Sequence, residues 1–373
     1  MSDVSRPNLR ALALALLPAI AGCAGFFVST GSSSSGSTDF VYVANATTNT
    51  VSGFSVGSGA LSATSNSPYS LAFQPSSLAI NPANTILFVG GNSRITAYSI
   101  GSAGALTALN SGSAVAVANV VAMDISPDGQ WLFALDGNGV SLDEFQINST
   151  TGVLTQVTGA TFSVTSGVVV PRDVKVAPNG AFVFVALGTG GDLVFTLNQT
   201  SGAVAASQQL STPTTTSSDN ALAVDASSAY LYVARSGTNG GMAVYTIASG
   251  TGALNSVSGS PFSAGTQPYS IVMNKAGTDI YLANRGDSTI SGYSVGSGGV
   301  LTALSGSPYT SGSSVSALAV ERSGKYLLAA ASGGSPDLTL YTFDSSVTGK
   351  LDLTTTVATG TDPTGPAAIA ATH

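Results

Sequence analysis

Tyr42-Val43-Ala44-Asn45, followed by Asn49-Thr50-Val51-Ser52-Gly53-Phe54-Ser55-Val56, is nearly repeated 239 positions later. The second copy reads Tyr281-Leu282-Ala283-Asn284, then Ser288-Thr289-Ile290-Ser291-Gly292-Tyr293-Ser294-Val295. Each copy is an apolar, β-branched run, a short polar turn and a second such run, which is the pattern of two paired strands. Working outward, the second copy and the related units between and after the two are each preceded by another short apolar run, often introduced by proline. These runs end at residues 80, 125, 176, 224, 273, 320 and 371, with spacings of 45, 51, 48, 49, 47 and 51. A period near fifty built entirely of strands predicts a propeller rather than a helical solenoid.

The unit is regular. A first strand (75–80, 120–125, 171–176, 219–224, 268–273, 315–320, 366–371) leads into a turn such as Pro127-Asp128-Gly129 or Pro178-Asn179-Gly180. There glycine can take the positive φ that a tight turn requires. A second strand follows at 40–44, 86–89, 131–135, 182–186, 231–234, 280–283 and 326–330. A third follows at positions such as 51–56, 95–100, 193–197 and 290–295, and a fourth at positions such as 105–109 and 300–304. Seven units of four strands predict an all-β, seven-bladed β-propeller over residues 39–373. The first unit starts at its second strand and the last ends after its first strand. The C-terminal strand is therefore expected to complete the first blade and leave no free edge in the ring.

Composition agrees. Of 373 residues, 43% are hydrophobic and only 8% charged, with 44 glycines, the opposite of the balance that keeps a chain disordered. Stacked blades cover strands on both faces, so the strands read as apolar runs. First strands rich in Ala, as in Ala221-Leu222-Ala223-Val224, suit a crowded axis. A net charge of −7 with 11 dispersed basic residues argues against a nucleic-acid partner.

Residues 1–22 read as an export signal. Arg6 and Arg10 precede an apolar stretch at 11–22 that is too short to span ~30 Å of hydrocarbon. Ile20-Ala21-Gly22-Cys23 resembles the bacterial lipobox, so Cys23, the only cysteine, is the expected lipidation site. Residues 23–38, with their Gly/Ser core, read as a flexible tether. The expected location is the bacterial cell envelope, periplasmic or surface-exposed, with the protein a monomer held by its lipid.

The Tyr-Val-Ala-Asn units, with intervening Gly-Ala-Leu and Ser-Pro-Tyr segments, resemble YVTN-type repeats and the lactonase family that includes bacterial 6-phosphogluconolactonase, across residues 39–373. The resemblance implies a lactone hydrolase whose enzymes carry Gly-Pro-Arg-His…His-Pro-Asn-Gly in a middle blade and Asn-Glu after the next strand. Here the matching stretch is Val170-Pro171-Arg172-Asp173-Val174-Lys175-Val176-Ala177-Pro178-Asn179-Gly180. Arg172 matches, Asp173 and Ala177 replace the histidines, and Ala186-Leu187 stand where Asn-Glu would be.

Lactone hydrolysis needs a base to activate water and a cation to hold negative charge. Arg172 and Asp173 are the catalytic candidates. Asp124, Arg172, Asp173, Lys175, Arg235 and Arg285 are the ligand-binding candidates, with Arg172 the anion contact at the channel mouth and Arg235 and Arg285 on a loop rim. Asp173 is expected to be held ionised by its cationic neighbours, and the competing reading of this cluster is a local set of salt bridges. The sole histidine, His373, reads as a surface tail and Trp131 as core packing. Asp136, Asp143 and Glu144 could offer oxygens to a hard cation, but they lack any loop motif, so no metal and no cofactor are expected. The favoured function is a binding or scaffolding module for an envelope protein, a glycan or a small polar ligand. The alternative is a sugar-lactone hydrolase. Intact-mass analysis should find the mature protein diacylated at Cys23, and Cys23→Ser should abolish membrane association; a soluble product cleaved elsewhere would refute the anchor.

Overall fold

The apolar, β-branched runs are strands at nearly every expected position in the computed structural model, which describes residues 38–138, 141–157, 159–162, 168–333, 336–359 and 368–373. The export signal, Cys23 and nearly all of the tether lie outside the described residues, as do Pro366 and Ala367. Thr38–His373 form one compact unit of antiparallel blades. The innermost strands are Pro75–Ile80, Val115–Ile125, Asp173–Val176, Ser218–Val224, Pro268–Met273, Val315–Val320 and Ile369–Ala371. The last of these belongs to blade 1 and the others to blades 2 to 7 in order.

Ring closure follows the expectation. Ile369–Ala371 is hydrogen-bonded to Asp39–Asn45, which pairs in turn with Thr50–Gly57 and then Ala60–Ala63. Val41 sits opposite Ala371, and Val43 opposite Ile369. The Ala44 N–H donates to Ala368 O and the Thr372 N–H to Phe40 O, both at 2.9 Å.

Blades 2 and 3 depart from four separate strands each. Ile86–Ile100 is continuous, turning through Ser93 at φ 63°. Val115–Ile125 begins in blade 2, where Val115 faces Ile95, and ends in blade 3, where Ala122 faces Leu135. The cause is the short outer strand Leu106–Ala108, which reaches only Tyr98–Ile100. It leaves the hydrogen-bonding edge at Arg94 and Ile95 open, and the connecting segment fills it. Blades 1 and 6 meet the same need with the two-residue strands Tyr69–Ser70 and Tyr309–Thr310.

The blades are held face to face by apolar clusters, each drawing its side chains from two neighbouring blades. The one that closes the ring joins Val41, Val43, Phe54 and Ile369 of blade 1 to Ala317, Leu328 and Leu340 of blade 7. A second device repeats seven times. Gly59, Gly104, Gly152, Gly202, Gly252, Gly299 and Gly349 each open the fourth strand of their blade, with φ between 69° and 76°. A bulky residue beginning the second strand of the preceding blade often packs on this glycine. A Cβ on Gly104 would lie 2.2 Å from the Phe40 ring, and one on Gly202 2.2 Å from the Trp131 ring. Phe182 sits in the same way on Gly252, and Tyr230 on Gly299. Trp131 is therefore a seam residue, 4% exposed, with its indole N–H donating to Gln199 O at 3.0 Å.

The expectation for Arg235 is corrected here. Rather than lying on a solvated rim, it is 4% exposed in the seam between blades 4 and 5. It faces Asp219 across the first two strands of blade 5. Its Nε and Nη2 donate to the two Asp219 oxygens at 2.5 and 2.9 Å, and Nη2 also donates to Tyr245 Oη at 3.0 Å. Asp192 is buried beside them, and burial first, then the Asp219 charge, pushes its carboxyl well above the usual carboxylate range.

Two outcomes test these contacts. Ile369→Ala removes apolar volume from the closing strand and should destabilise the protein by about 2–4 kcal/mol in chemical unfolding. Arg235→Met strands Asp219 and Asp192 in a dry seam and should cost about 3–5 kcal/mol, with a loss under 1 kcal/mol refuting the buried pair.

Candidate functional site

The inner edge of each innermost strand has no further strand to pair with, so its N–H groups need other acceptors. Side chains from the neighbouring blade supply several. Asp124 Oδ2 accepts the Val176 N–H at 2.7 Å, Asp173 Oδ2 the Leu222 N–H at 2.9 Å, and Ser270 Oγ the Leu318 N–H at 3.0 Å. Asn220 works in the other sense, its Nδ2 donating to Pro268 O at 2.8 Å. Asp173 and Ser270 occupy the same place in their strands, three residues before the end.

Between these strands lies an axial cavity of about 330 Å³ to which all seven blades contribute; its ionisable lining residues are Asp124, Asp173, Lys175 and His373. Lys175 Nζ is 3.6 Å from Asp173 Oδ1, and its side chain is 32% exposed. Burial works against the ammonium, but Asp173 and Asp124 outweigh it and raise its pKa, so the cavity holds a permanent cation. Asp173 is 2% exposed. Contrary to the expectation of a depressed value, burial pushes its carboxyl up, and Lys175 and the Leu222 N–H only partly pull it back. The sign reverses because loss of water penalises the charge more than one ammonium at 3.6 Å repays.

Arg172 is not among the residues lining this cavity. It precedes Asp173 by one residue, which turns its side chain to the other face of the extended chain. Its main-chain N–H donates to Ala186 O at 2.9 Å, and its Nε is buried without a hydrogen-bond partner. Arg285 stays on the rim, its guanidinium 4.9 Å from the Tyr269 ring centre. The positions matching the family's second histidine and its glutamate, Ala177 and Leu187, are fully buried in apolar cores.

Asp136, Asp143 and Glu144 do not converge. Asp143 and Glu144 are consecutive in Ser141–Ile147 and point to opposite faces. Among the described residues no group of three or more metal-ligating side chains comes together. Glu144 is 1% exposed with both carboxyl oxygens unpartnered, and burial pushes its pKa to about 7, the Val204 main chain drawing it back and Asp143 adding to the rise.

His373 is exposed, as expected of a surface residue, but it is tied down at the cavity rather than left as a loose tail. Its N–H donates to Asn84 Oδ1 at 2.9 Å and its carbonyl oxygen accepts Asn84 Nδ2 at 2.5 Å. These bonds pin the residue at the cavity, with ring Nδ1 3.4 Å from Ala371 O. The one available signal was indirect: His373 lies two residues beyond the closing strand, on the side where first strands turn into second strands.

The family described as "Lactonase, 7-bladed beta-propeller" matches residues 118–217 and 193–315, more than half of the chain. Comparison with curated proteins finds no match. Among solved structures, a Bacteroides uniformis protein provisionally assigned as a 6-phosphogluconolactonase superposes with a TM-score of 0.74 at 16% identity, covering 90% of this chain and 99% of its own. The periplasmic gluconolactonase of Pseudomonas aeruginosa gives 0.70 at 18% identity, with 90% and 99% covered. Hydrazine synthase of Kuenenia stuttgartiensis gives 0.60 at 17% identity, with 81% and 94% covered, so likeness at this level carries the fold and not the reaction. With the sequence match spanning most of blades 3 to 6 and the seven-bladed architecture established, the chain belongs to the lactonase family of seven-bladed β-propellers.

Proposed function

We propose that the protein binds a small lactone in its axial cavity and hydrolyses it. The observation that carries this reading is the convergence of a permanent ammonium, Lys175, and the sole imidazole, His373, on one cavity of about 330 Å³. That volume suits a single sugar-sized ring and lies at the low end for small-molecule sites. Family membership and the buried, upward-shifted Asp173 favour hydrolysis over the scaffolding role that the sequence favours.

The chemistry assigns roles as follows. In the tautomer that carries its proton on Nδ1, 3.4 Å from Ala371 O, the His373 ring leaves Nε2 free to take a proton from water. The water oxygen bonds to the ring carbonyl carbon, and Lys175 stabilises the oxyanion. Collapse breaks the ring C–O bond, the imidazolium returns its proton to the departing oxygen, and the product is a hydroxy acid whose carboxylate faces Lys175. Asp173 and Asp124 hold Lys175 charged and in place. Arg172, turned away from the cavity, has no role in these steps. The export signal and lipidation site expected from residues 1–23 support an envelope location for this activity, on exogenous or periplasmic lactones.

A second reading, binding of the same ligand class without turnover, draws on two observations. Asp124 and Asp173 each commit an oxygen to a neighbouring strand, and apolar Ala177 and Leu187 stand at the family's catalytic positions. Turnover of a panel of sugar lactones separates the two. The hydrolase reading expects hydrolysis well above the spontaneous rate, with Lys175→Met lowering kcat about 10²–10³-fold and His373→Gln about 10²–10⁴-fold. Calorimetric binding of the panel with only spontaneous hydrolysis would leave the binding reading standing.

A further inference from the structure

We infer that the seam between blades 7 and 1 is a proton-operated latch, in which Asp39 and Glu321 share one proton and loss of that proton loosens the ring where its two ends meet. Asp39 opens the second strand of blade 1, and Glu321 directly follows the first strand of blade 7. They are 282 residues apart in the chain and are brought together only by ring closure. Both are buried, at 7% and 1% exposure.

Contact is shown by one donor that serves both groups: the Ser323 N–H reaches Asp39 Oδ2 at 3.2 Å and Glu321 Oε2 at 2.5 Å. The remaining donors are divided unequally. Glu321 Oε1 accepts the Ser323 hydroxyl at 2.8 Å, the Lys325 N–H at 2.7 Å and the Tyr326 N–H at 2.8 Å. Asp39 Oδ1 is buried with no donor at all. A donor-rich site holds a carboxylate, and a donor-poor buried one holds a carboxylic acid that can itself donate. Glu321 is therefore the anion and Asp39 the acid.

The surrounding charges do not reverse this. Arg322 favours ionised Asp39, but burial, the hydrogen bond to Glu321 and the Glu321 charge outweigh it and raise Asp39 from 3.8 to about 6. Burial works against the Glu321 carboxylate, yet Asp39, Ser323 and the Tyr326 N–H hold it below its ordinary value. Lys325 and Tyr326 meet the pair through their main-chain N–H groups. The Tyr326 hydroxyl instead crosses the seam to accept the Gly59 N–H of blade 1 at 2.8 Å.

The sign follows from linkage. A carboxyl raised in the folded state contributes stability that is complete below its unfolded pKa and is lost as pH rises through the folded one, here between about 4 and 6. Above that window two anions face each other across the seam. Beside them in blade 1 lies the closing strand, which also lines the axial cavity through Ile369, Ala370 and Ala371.

The test compares wild type with Asp39→Asn, which keeps a donor at Oδ1's place and cannot ionise. Unfolding followed from pH 4 to pH 8 should show wild type losing about a hundredfold in its folding equilibrium relative to the variant across pH 6, the factor that two pKa units convert to. Hydrogen exchange in Asp39–Asn45 and Ile369–Ala371, corrected for intrinsic rates, should accelerate over the same range in wild type only. Parallel pH profiles for the two proteins would overturn the latch. Carboxyl ¹³C NMR of wild-type Asp39 reads the proton without any variant, and a midpoint near 4 would overturn it equally.

Discussion

Seven strands brought edge-on to one axis leave seven rows of main-chain N–H and C=O groups facing a space too narrow for another strand. Much of the rest of the structure accommodates that constraint. Residues one and three places before the end of most innermost strands are small, as at Ala221, Ala223, Ala317 and Ala319, or hydrogen-bond to the next blade, as at Ser270, Asp124 and Asp173; Val272 and Lys175 do neither. The acidic residues at the centre therefore serve the fold first. Lys175 is the charged exception: its side chain is a third exposed and reaches the cavity with a charge that its two aspartates keep in place. An ammonium so held is available to a ligand without disturbing a strand-to-strand bond.

Away from the axis the blades meet through apolar faces and through glycines that admit an aromatic ring from the blade before. A chain that is 8% charged can cover its strands on both faces, but each charge caught in a seam then needs its own partner. Arg235 has Asp219 and Tyr245. Glu321 has a ring of donors, and Asp39 has Glu321. Glu144 and Asp192 each keep two oxygens without a hydrogen-bond partner, and both carboxyls rise accordingly.

The fold was legible in the sequence because its determinants are local and repeated: strand, turn, strand, and a glycine at constant phase. The partial fusion of blades 2 and 3 was not, since it depends on how far Leu106–Ala108 reaches along its neighbour. At the site, legibility followed the range of the interaction. Asp173 and Lys175 were found because two residues on one strand share a face. Arg172 was misplaced by the same alternation, being one residue out of phase. Arg235 could have been paired with Asp219, since both flank one hairpin, but nothing local said that the hairpin end was buried. His373 is held by a side chain 289 residues earlier, and no local pattern carries such a contact. The sign of the Asp173 shift depended on burial, which the strand's own residues do not reveal.

The closing ladder also has a consequence in time. Phe40 and Thr372, which bond to each other at the seam, are 332 residues apart. At the ribosome's pace of about 5–20 residues per second, roughly 15–65 s separate their synthesis. Throughout that interval the Val41 and Val43 edge exists without its partner, while the blades that follow can pair internally as they emerge. A nascent chain must therefore keep an apolar strand edge from every other strand in the cell until its last residues arrive. Chaperone demand for this protein should track the wait for its C-terminus more closely than the difficulty of folding any single blade.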